Sequence, residues 1–173
     1  MISAATRTLA SLIVKNDEGS PIDESSLSFD HPQVHHGVQP NVNLYCYYLQ
    51  PSDYFVREQE ASAELRSPSD RWFDLAFLVS ATDHTVLGEQ HLLSEILTIL
   101  SQYEFVPEQY LSPAVKGKGQ IPIQVSSISV VNPFTLWQVL QVPLQLSFHV
   151  TLTVPFTPNF RLAPFSSTNQ TAC

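Results

Sequence analysis

The chain has 173 residues, the size of one domain with tails, and a domain of this length buries a core without help from metals or disulfides. Acidic residues outnumber basic residues by 16 to 8, and the formal charge of −8 argues against nucleic acid and anionic membrane surfaces as partners, because both attract basic side chains. Charged residues make up only 14% of the chain, which is typical either of an ordinary acidic protein or of a surface partly covered by neighbouring subunits.

The first third of the chain is predicted to contribute one helix and two strands. Apolar residues recur at helical spacing over residues 2–16, which predicts a helix that covers a sheet. Residues 26–29 are predicted to form a short edge strand. Residues 42–49 form a clearer strand, with Val42, Leu44, Cys46 and Tyr48 on one side, and aromatic residues on both sides predict that both faces are covered.

A turn-rich stretch between these strands contains Asp30, His31, His35 and His36. These are the residue types of a metal site. Their spacing matches no structural zinc pattern, and Cys46 lies on a strand and not in a turn. A solvated loop is therefore the favoured interpretation, and no metal or other cofactor is expected.

The two cysteines, Cys46 and Cys173, do not form a disulfide framework and are typical of a reducing compartment. No run of residues approaches the ~20 apolar residues of a membrane-spanning helix. The apolar run near the N-terminus is broken by Thr8 and Ser11, so no secretory signal is predicted.

The middle of the chain is predicted to hold a long loop, a strand, a helix and a second strand. Residues 51–70 lack periodicity and are predicted to be an exposed loop, of the kind that often binds partners. Residues 71–81 alternate as a strand, and residues 86–103 carry a broad apolar stripe typical of a helix lying across a sheet, capped by Asp83 or Thr85. Residues 121–131 are predicted to form a strand with a bulge or a change of face.

Two short motifs in this region resemble catalytic or binding signatures only superficially. Lys116, Gly117, Lys118 and Gly119 lack the full glycine-rich phosphate signature and open no helix, so a flexible hairpin-like loop is predicted. His84, Glu89 and His91 do not have the His-Glu-x-x-His spacing of a zinc protease. The chain also contains no Gly-x-Ser-x-Gly elbow, and no enzymatic activity is predicted.

The last third is dominated by a long predicted strand. Asn132 followed by Pro133 is a helix start, and residues 134–141 make a short helix. Apolar and polar residues then alternate strictly over residues 144–154, which predicts a strand of roughly 35 Å with one buried and one polar face. Residues 156–173 are predicted to be an extended tail that contains proline and phenylalanine.

These elements predict an α+β fold. We expect a mixed, mainly antiparallel sheet of four to five strands, packed against two or three helices. Residues 1–155 are expected to form a single domain, and residues 156–173 its extended C-terminal tail.

Three blocks of sequence, residues 5–13, 42–48 and 136–148, occur in the order of a known family, with residues 75–80 and 91–93 between them. The chain resembles the cap, or tail-terminator, proteins of phage-tail-like contractile injection systems, specifically the N-terminal domain family of the virulence-cassette cap protein. The resemblance covers about residues 2–155. The chain departs from the family pattern in two places, because that pattern is expected to have an arginine near Gln145 and an aromatic residue near His149.

The resemblance implies a structural protein, not an enzyme, that caps the distal end of the inner tube and sheath. It implies a ring of subunits, expected to be a hexamer, whose partners are sheath and tube subunits and a second cap paralogue if one exists. Nucleic acid binding and membrane insertion are not expected. Assembly is expected in the cytoplasm, in a particle that is either membrane-attached or released.

The interface anchors predicted for this ring are Phe156, Phe160, Phe165, Trp137, Tyr54 and Phe55. For the tail residues Phe156, Phe160 and Phe165, an alternative prediction is that they fold back and pack on the sheet of their own chain. Two other functions stay open from the residues alone: an adaptor or scaffold in another macromolecular machine, and a small α/β hydrolase that uses the clustered histidines.

Overall fold

The structure is a computed structural model that describes residues 1–14, 22–32, 40–52, 71–126 and 131–156. Its helices and strands follow the predicted order. They are α1 (Ile2–Val14), β1 (Leu27–Ser28), β2 (Asn41–Pro51), β3 (Arg71–Thr82), α2 (Val86–Ser101), β4 (Ile123–Ser126), α3 (Pro133–Leu140) and β5 (Ser147–Phe156). Two short 3-10 helices span Glu24–Ser26 and Glu108–Tyr110.

The five strands form one sheet in the order β1-β2-β3-β5-β4. Every neighbouring pair is antiparallel except β1 and β2, which run parallel. This arrangement confirms the predicted mixed, mainly antiparallel sheet. The short strands β1 and β4 form its two edges, so the long strands β2, β3 and β5 lie inside it.

The main core lies between the sheet and helices α1 and α2. Register places Leu75 of β3 opposite Leu152 of β5, which is itself opposite Ile123 of β4, and all three point into the core. Burying such apolar side chains supplies the main driving force for folding, at about 1.5–3 kcal/mol each. The fully buried members of this layer include Ala5, Leu9, Leu12, Ile13, Leu44, Leu75, Phe77, Val79, Ile96, Leu100, Ile121, Val150, Leu152 and Val154.

Side-chain caps fix the starts of the two later helices. The Thr85 hydroxyl accepts a hydrogen bond of 3.0 Å from Gly88 N, so Thr85, rather than Asp83, is the cap of α2. Asn132 Oδ1 accepts bonds from the N–H groups of Phe134 and Thr135 at the start of α3, as its sequence predicted. These bonds satisfy amides that have no partner within the helix.

Helix α3 packs on the opposite face of the sheet from α1 and α2. Its buried residues Leu136, Trp137 and Leu140 cluster with Leu78 of β3. Half-buried residues around this second cluster include Tyr45 and Tyr47 of β2. The sheet therefore has helices on both faces, which explains why aromatic residues occur on both sides of β2.

The predicted alternation of β2 is wrong beyond Cys46. The register shifts between Cys46 and Tyr48, so Cys46 pairs with Phe77 whereas Tyr48 pairs with Ala76. A bulge inserts one extra residue into a strand and reverses the sides of the residues that follow it. Tyr48 therefore lies on the α3 side of the sheet and not beside Leu44.

The long C-terminal strand begins later than predicted. β5 starts at Ser147, and Leu144 and Leu146 are exposed. Alternation of apolar residues is not sufficient for a strand, because the backbone also needs a partner, and the ladder with β3 ends at the pair Ser80–Ser147. The predicted polar face is also partly wrong, because His149 and Thr153 on this face are buried.

Candidate assembly surfaces

One edge of the sheet is acidic and is held in place by an asparagine. β1 pairs with Val42 and Asn43 at the start of β2. The Asn43 Nδ2 group donates to the Asp30 carbonyl oxygen at 3.0 Å and to the Ser28 hydroxyl at 3.4 Å. These bonds fix the chain just after β1, where Phe29 and Asp30 are exposed.

The segment before β1 adds further negative charge to this edge. Asp23 and Glu24 are exposed at the start of the first 3-10 helix, whereas the neighbouring Ile22 is buried in the main core. Ile22 therefore anchors a turn whose carboxylates face solvent. We define the acidic edge as Asp23, Glu24, Phe29 and Asp30.

The outer side of β2 is the longest strand edge in the described part of the chain. β1 covers only Val42 and Asn43, and no other described strand pairs on that side. Tyr48 and Leu49 near the end of β2 are exposed. Such an edge presents backbone N–H and C=O groups to a further strand.

The opposite edge, at β4, is supported by a long, well-anchored loop. Val106 N donates to the Ile121 carbonyl oxygen at 2.9 Å, and Ile123 N donates to the Glu104 carbonyl oxygen at 3.0 Å. Ser112 N donates to the Thr8 hydroxyl of α1 at 3.0 Å. The loop also buries apolar residues in the main core, namely Val106, Tyr110, Leu111, Val115 and Ile121. It therefore belongs to the body of the domain.

A cleft of about 500 Å³ opens in this loop. Its walls are largely apolar and are formed by Phe105, Val106, Pro107, Leu111, Gly117 and Gly119, with Glu108 also on the rim. Gly117 and Gly119 have φ values of +74° and +110°, which favour glycine, so these residues serve the turn that forms one wall. Lys116 and Lys118 alternate with these glycines in sequence and are exposed, but the residues that line the cleft do not include them. We call this feature the loop cleft.

A histidine–tyrosine pair lies beneath the α3 layer. His149 Nδ1 is 3.1 Å from the Tyr47 hydroxyl, and the two rings meet edge to face with centroids 5.6 Å apart. Burial lowers the pKa of His149, because the charged ring loses solvation. The hydrogen bond between the Tyr47 hydroxyl and His149 Nδ1 connects β2 to β5 across the sheet.

The predicted interface anchors fall into three groups. Phe156 ends β5, is 38% exposed, and packs edge to face against Phe73 at 5.9 Å. Trp137 is only 2% exposed because its ring packs against the sheet, so it contacts its own chain and a role at an interface stays a prediction. The remaining predicted anchors, Tyr54, Phe55, Phe160 and Phe165, lie outside the described residues.

Other exposed apolar side chains surround α3 and the start of α2. They are Phe134 and Val139 on α3, Leu144 and Leu146 in the connection to β5, and Val86 and Leu87 at the start of α2. None of them was singled out as an anchor from the sequence, and Leu144 and Leu146 belong to the alternation that predicted burial.

The histidine-rich stretch is only partly within the described residues. His31 Nδ1 donates to the adjacent Pro32 carbonyl oxygen at 2.9 Å, and its ring meets Tyr45 edge to face. His35 and His36 lie outside the described part. Among the residues that the structure describes, no group of three or more histidine, cysteine, aspartate or glutamate residues is placed to hold a metal.

Two further sequence features have structural counterparts. His91 Nε2 lies 3.1 Å from Glu95 Oε1 one turn later on α2, and this helix pair joins an exposed histidine to a half-buried glutamate. Within the described ranges, no helix has the length and apolarity needed to cross a membrane.

The family can now be assigned. The sequence pattern of the Pvc16 N-terminal domain matches residues 4–161. The chain belongs to the Pvc16 N-terminal domain family. This assignment confirms the resemblance seen in the sequence blocks, which includes α1, the start of β2, α3 and the start of β5. No curated protein sequence matches this family member.

Two solved structures have a similar fold. One is a cryo-EM structure of the sheath/tube terminator of PVC, an extracellular contractile injection system, in the extended state, with a TM-score of 0.62 and 16% identity. The other is a cryo-EM structure of the anti-feeding prophage cap, described as a tube-terminating cap, with a TM-score of 0.51 and 18% identity. The matches cover 92% and 91% of this Pvc16 N-terminal domain chain, which spans 57% and 54% of those chains.

Three of these features were not predicted from the sequence, namely the acidic edge, the loop cleft and the contact between His149 and Tyr47. The acidic edge lies within residues 23–30 and the loop cleft within residues 105–120, but their exposure depends on how these segments pack at the edges of the sheet. The His149–Tyr47 contact depends on the bulge in β2, because Tyr47 lies on the α3 side of the sheet and reaches over β3 to His149 of β5. The alternation of lysines and glycines at residues 116–119 was the one available signal, and it was interpreted as a flexible hairpin-like loop rather than a phosphate site.

Proposed function

We propose that this chain is a structural assembly protein that caps the distal end of the inner tube and sheath of a contractile injection system. The observation that carries the proposal is the family match over residues 4–161, and the fold similarity to a sheath/tube terminator and a tube-terminating cap supports it. The proposed role requires binding surfaces and assigns no catalytic step to this chain.

The proposed form is a closed ring, a hexamer, in which every subunit uses one surface to contact the next subunit's other surface. Such a heterologous ring needs two different surfaces on well-separated sides of the domain. The two sheet edges meet this requirement, because β1 and β4 are the outermost strands and carry different chemistry. A rigid body between them, with helices on both faces, keeps the angle between neighbours constant.

The proposed partners are tube subunits, sheath subunits and a second cap paralogue where one is present. The outer side of β2 suits the addition of an extended strand from a sheath subunit, because among the described strands only β1 pairs there, at Val42 and Asn43. Phe156, exposed at the end of β5, is a proposed apolar anchor, together with Phe160, Phe165, Tyr54 and Phe55. Assembly is proposed to occur in the cytoplasm, in a particle that is released or membrane-attached.

The test is to compare particles from the producing strain with particles from a strain that lacks this chain. A cap that stops tube growth predicts sheaths and tubes of abnormal length, or few complete particles, in its absence. Re-expression of the chain restores the normal length distribution in negative-stain images. Particles of normal length and number without the chain would refute the proposed function.

A further inference from the structure

We propose that the loop cleft binds residues 159–163 of its own chain, the segment that follows β5, while the chain is free in solution. The segment contains Phe160 and Leu162 and lies outside the described residues. The proposal goes beyond the function proposed above, because it concerns the free chain and assigns an occupant to the cleft.

The cleft lies at the edge of the sheet, on the outer side of β4. Two backbone hydrogen bonds join residues 104–106 to residues 121–123 and place Phe105 opposite Pro122. On the inner side, the Pro122 carbonyl oxygen accepts a bond of 3.1 Å from Thr153 N of β5. Phe105, Pro122 and Thr153 therefore lie in one row across the sheet. Phe105, which lines the cleft, is two inter-strand spacings from β5, or about 10 Å.

The backbone of Phe105 offers a donor and an acceptor on the outer side of this row. Both bonds between residues 104–106 and 121–123 use the residues on either side of Phe105. In an antiparallel pair, the N–H and C=O groups of the residue between such bonds point away from the partner strand. Neither group is bonded to a residue that the structure describes. An extended segment can therefore pair with Phe105 and place apolar side chains in the cleft.

The chain leaves the described residues close to this cleft. Phe156 ends β5 three residues beyond Thr153, so it lies about 10 Å along the strand from the row that contains Phe105. Combined with the distance across the sheet, the separation from Phe156 to Phe105 is about 14 Å. Four extended residues span up to about 14 Å and six span about 20 Å. Phe160 and Leu162, four and six residues beyond Phe156, therefore reach the cleft of their own chain.

The apolar pattern of the segment matches the walls of the cleft. Residues 159–163 lie between Pro158 and Pro164, which separate them from the strand before and the chain after. In an extended segment, Phe160 and Leu162 project to the same side. That side faces the largely apolar walls of the cleft when the segment pairs with the edge.

The charges agree with the same placement. Arg161 is the only charged residue among residues 157–173. Glu108 is the only charged residue among those that line the cleft, and it is exposed. An exposed pair of this kind adds little affinity, so its role is to favour one position of the segment over others.

Because the segment is tethered, a weak contact is enough to hold it. A short tether gives an effective concentration of roughly millimolar order, so a dissociation constant of ~0.1 mM keeps the segment bound about ten times as often as free. The bound state covers Phe160, which is proposed above as an anchor in a neighbouring subunit. The cleft therefore holds this anchor away from other copies until assembly offers a competing site.

Amide hydrogen exchange at Phe105 in the full chain, measured by nuclear magnetic resonance, tests the contact. The Phe105 N–H has no partner among the described residues, so it should exchange at nearly the unprotected rate unless the segment bonds to it. We expect exchange in the wild-type chain to be roughly tenfold slower than in F160D/L162D, which removes both apolar contacts. T168D/T171D adds the same charge outside the segment and should leave the exchange slow.

A charge exchange tests the position of the segment in the cleft. E108K and R161E should each speed the exchange of the Phe105 amide by about two- to threefold, and E108K/R161E should restore the slow rate. E24K makes the same change of charge at the opposite edge of the sheet and should have no effect. Circular dichroism of each variant verifies that it is folded.

Four results would overturn the inference. They are unprotected exchange at Phe105 in the wild-type chain, equal exchange in F160D/L162D, a charge exchange that does not restore the slow rate, and slow exchange that is lost on dilution. Loss on dilution would place the segment in the cleft of a second copy instead. These measurements use the free chain, so they are independent of particle length in a deletion strain, which tests the proposed function.

Discussion

Replacing Trp137 with alanine distinguishes a core residue from an interface anchor. Trp137 is 2% exposed and packs with Leu136 and Leu140 on Leu78. Removing a buried tryptophan side chain costs about 3–5 kcal/mol, from lost transfer free energy and the cavity that remains. This is a large share of the roughly 5–15 kcal/mol by which a domain is stable.

The structure makes α3 especially dependent on this residue. The helix spans only Pro133–Leu140, and isolated helices shorter than about 12–15 residues are marginal in water. Its place on the sheet therefore depends on three buried side chains. Trp137→Phe should cost less than Trp137→Ala, because it keeps an aromatic ring and removes an indole N–H that has no hydrogen-bond partner in the described structure.

The matched control is another aromatic residue of the same helix. Phe134 is 70% exposed, so Phe134→Ala should change the free energy of unfolding by no more than about 0.5 kcal/mol. Urea denaturation followed by far-ultraviolet circular dichroism measures both values. A Trp137→Ala protein of wild-type stability that no longer assembles would refute the core role and favour the interface anchor predicted from the sequence.

Three further changes test other parts of the structure. Burial lowers the pKa of His149, so the buried neutral ring contributes its full stabilisation above the ordinary histidine pKa of 6.5. This stabilisation is lost as pH drops through the folded-state pKa, by at most about 1.4 kcal/mol per pH unit. Urea titrations at several pH values should show a shallower acid loss in His149→Phe, and equal slopes would contradict this. Asn132→Ala removes the cap of α3 and should lower the free energy of unfolding by about 1 kcal/mol, whereas an unchanged urea midpoint would argue against the cap. Asn43→Ala should release the segment around Asp30 and speed amide hydrogen exchange there but not in β3; unchanged exchange would show that other contacts hold it.

The sequence predicted the elements of the fold well where local chemistry decides them. Alternation over β3, the apolar stripe of α2 and the Asn132-Pro133 start of α3 all depend on neighbours a few residues apart, and all are confirmed. The edge strand at residues 26–29 was also confirmed, as β1.

Properties that depend on pairing between strands could not be predicted from the local sequence. The bulge at Tyr47 changes which side of β2 faces α3, and no local pattern marks it. The exposure of Leu144 and Leu146 depends on where the ladder with β3 ends. The polar face of β5 is buried at His149 because β2, after its bulge, directs Tyr47 toward it.

For the candidate surfaces, too, the sequence predicted some features and the structure was needed for others. The family was predicted from the order of sequence blocks, and the match over residues 4–161 confirms it. The acidic edge and the loop cleft required the structure, because each depends on how a loop packs against an edge of the sheet. The interface role of Phe156 and the other predicted anchors stays a prediction.

The central claim is tested most directly by locating this chain on isolated particles. Cryo-EM of particles in which the chain carries a small rigid tag should show tag density at one end of each tube, arranged as a closed ring. The account predicts density only at the end distal to the baseplate. Tag density along the sheath, at the baseplate, or on no part of the particle would contradict it.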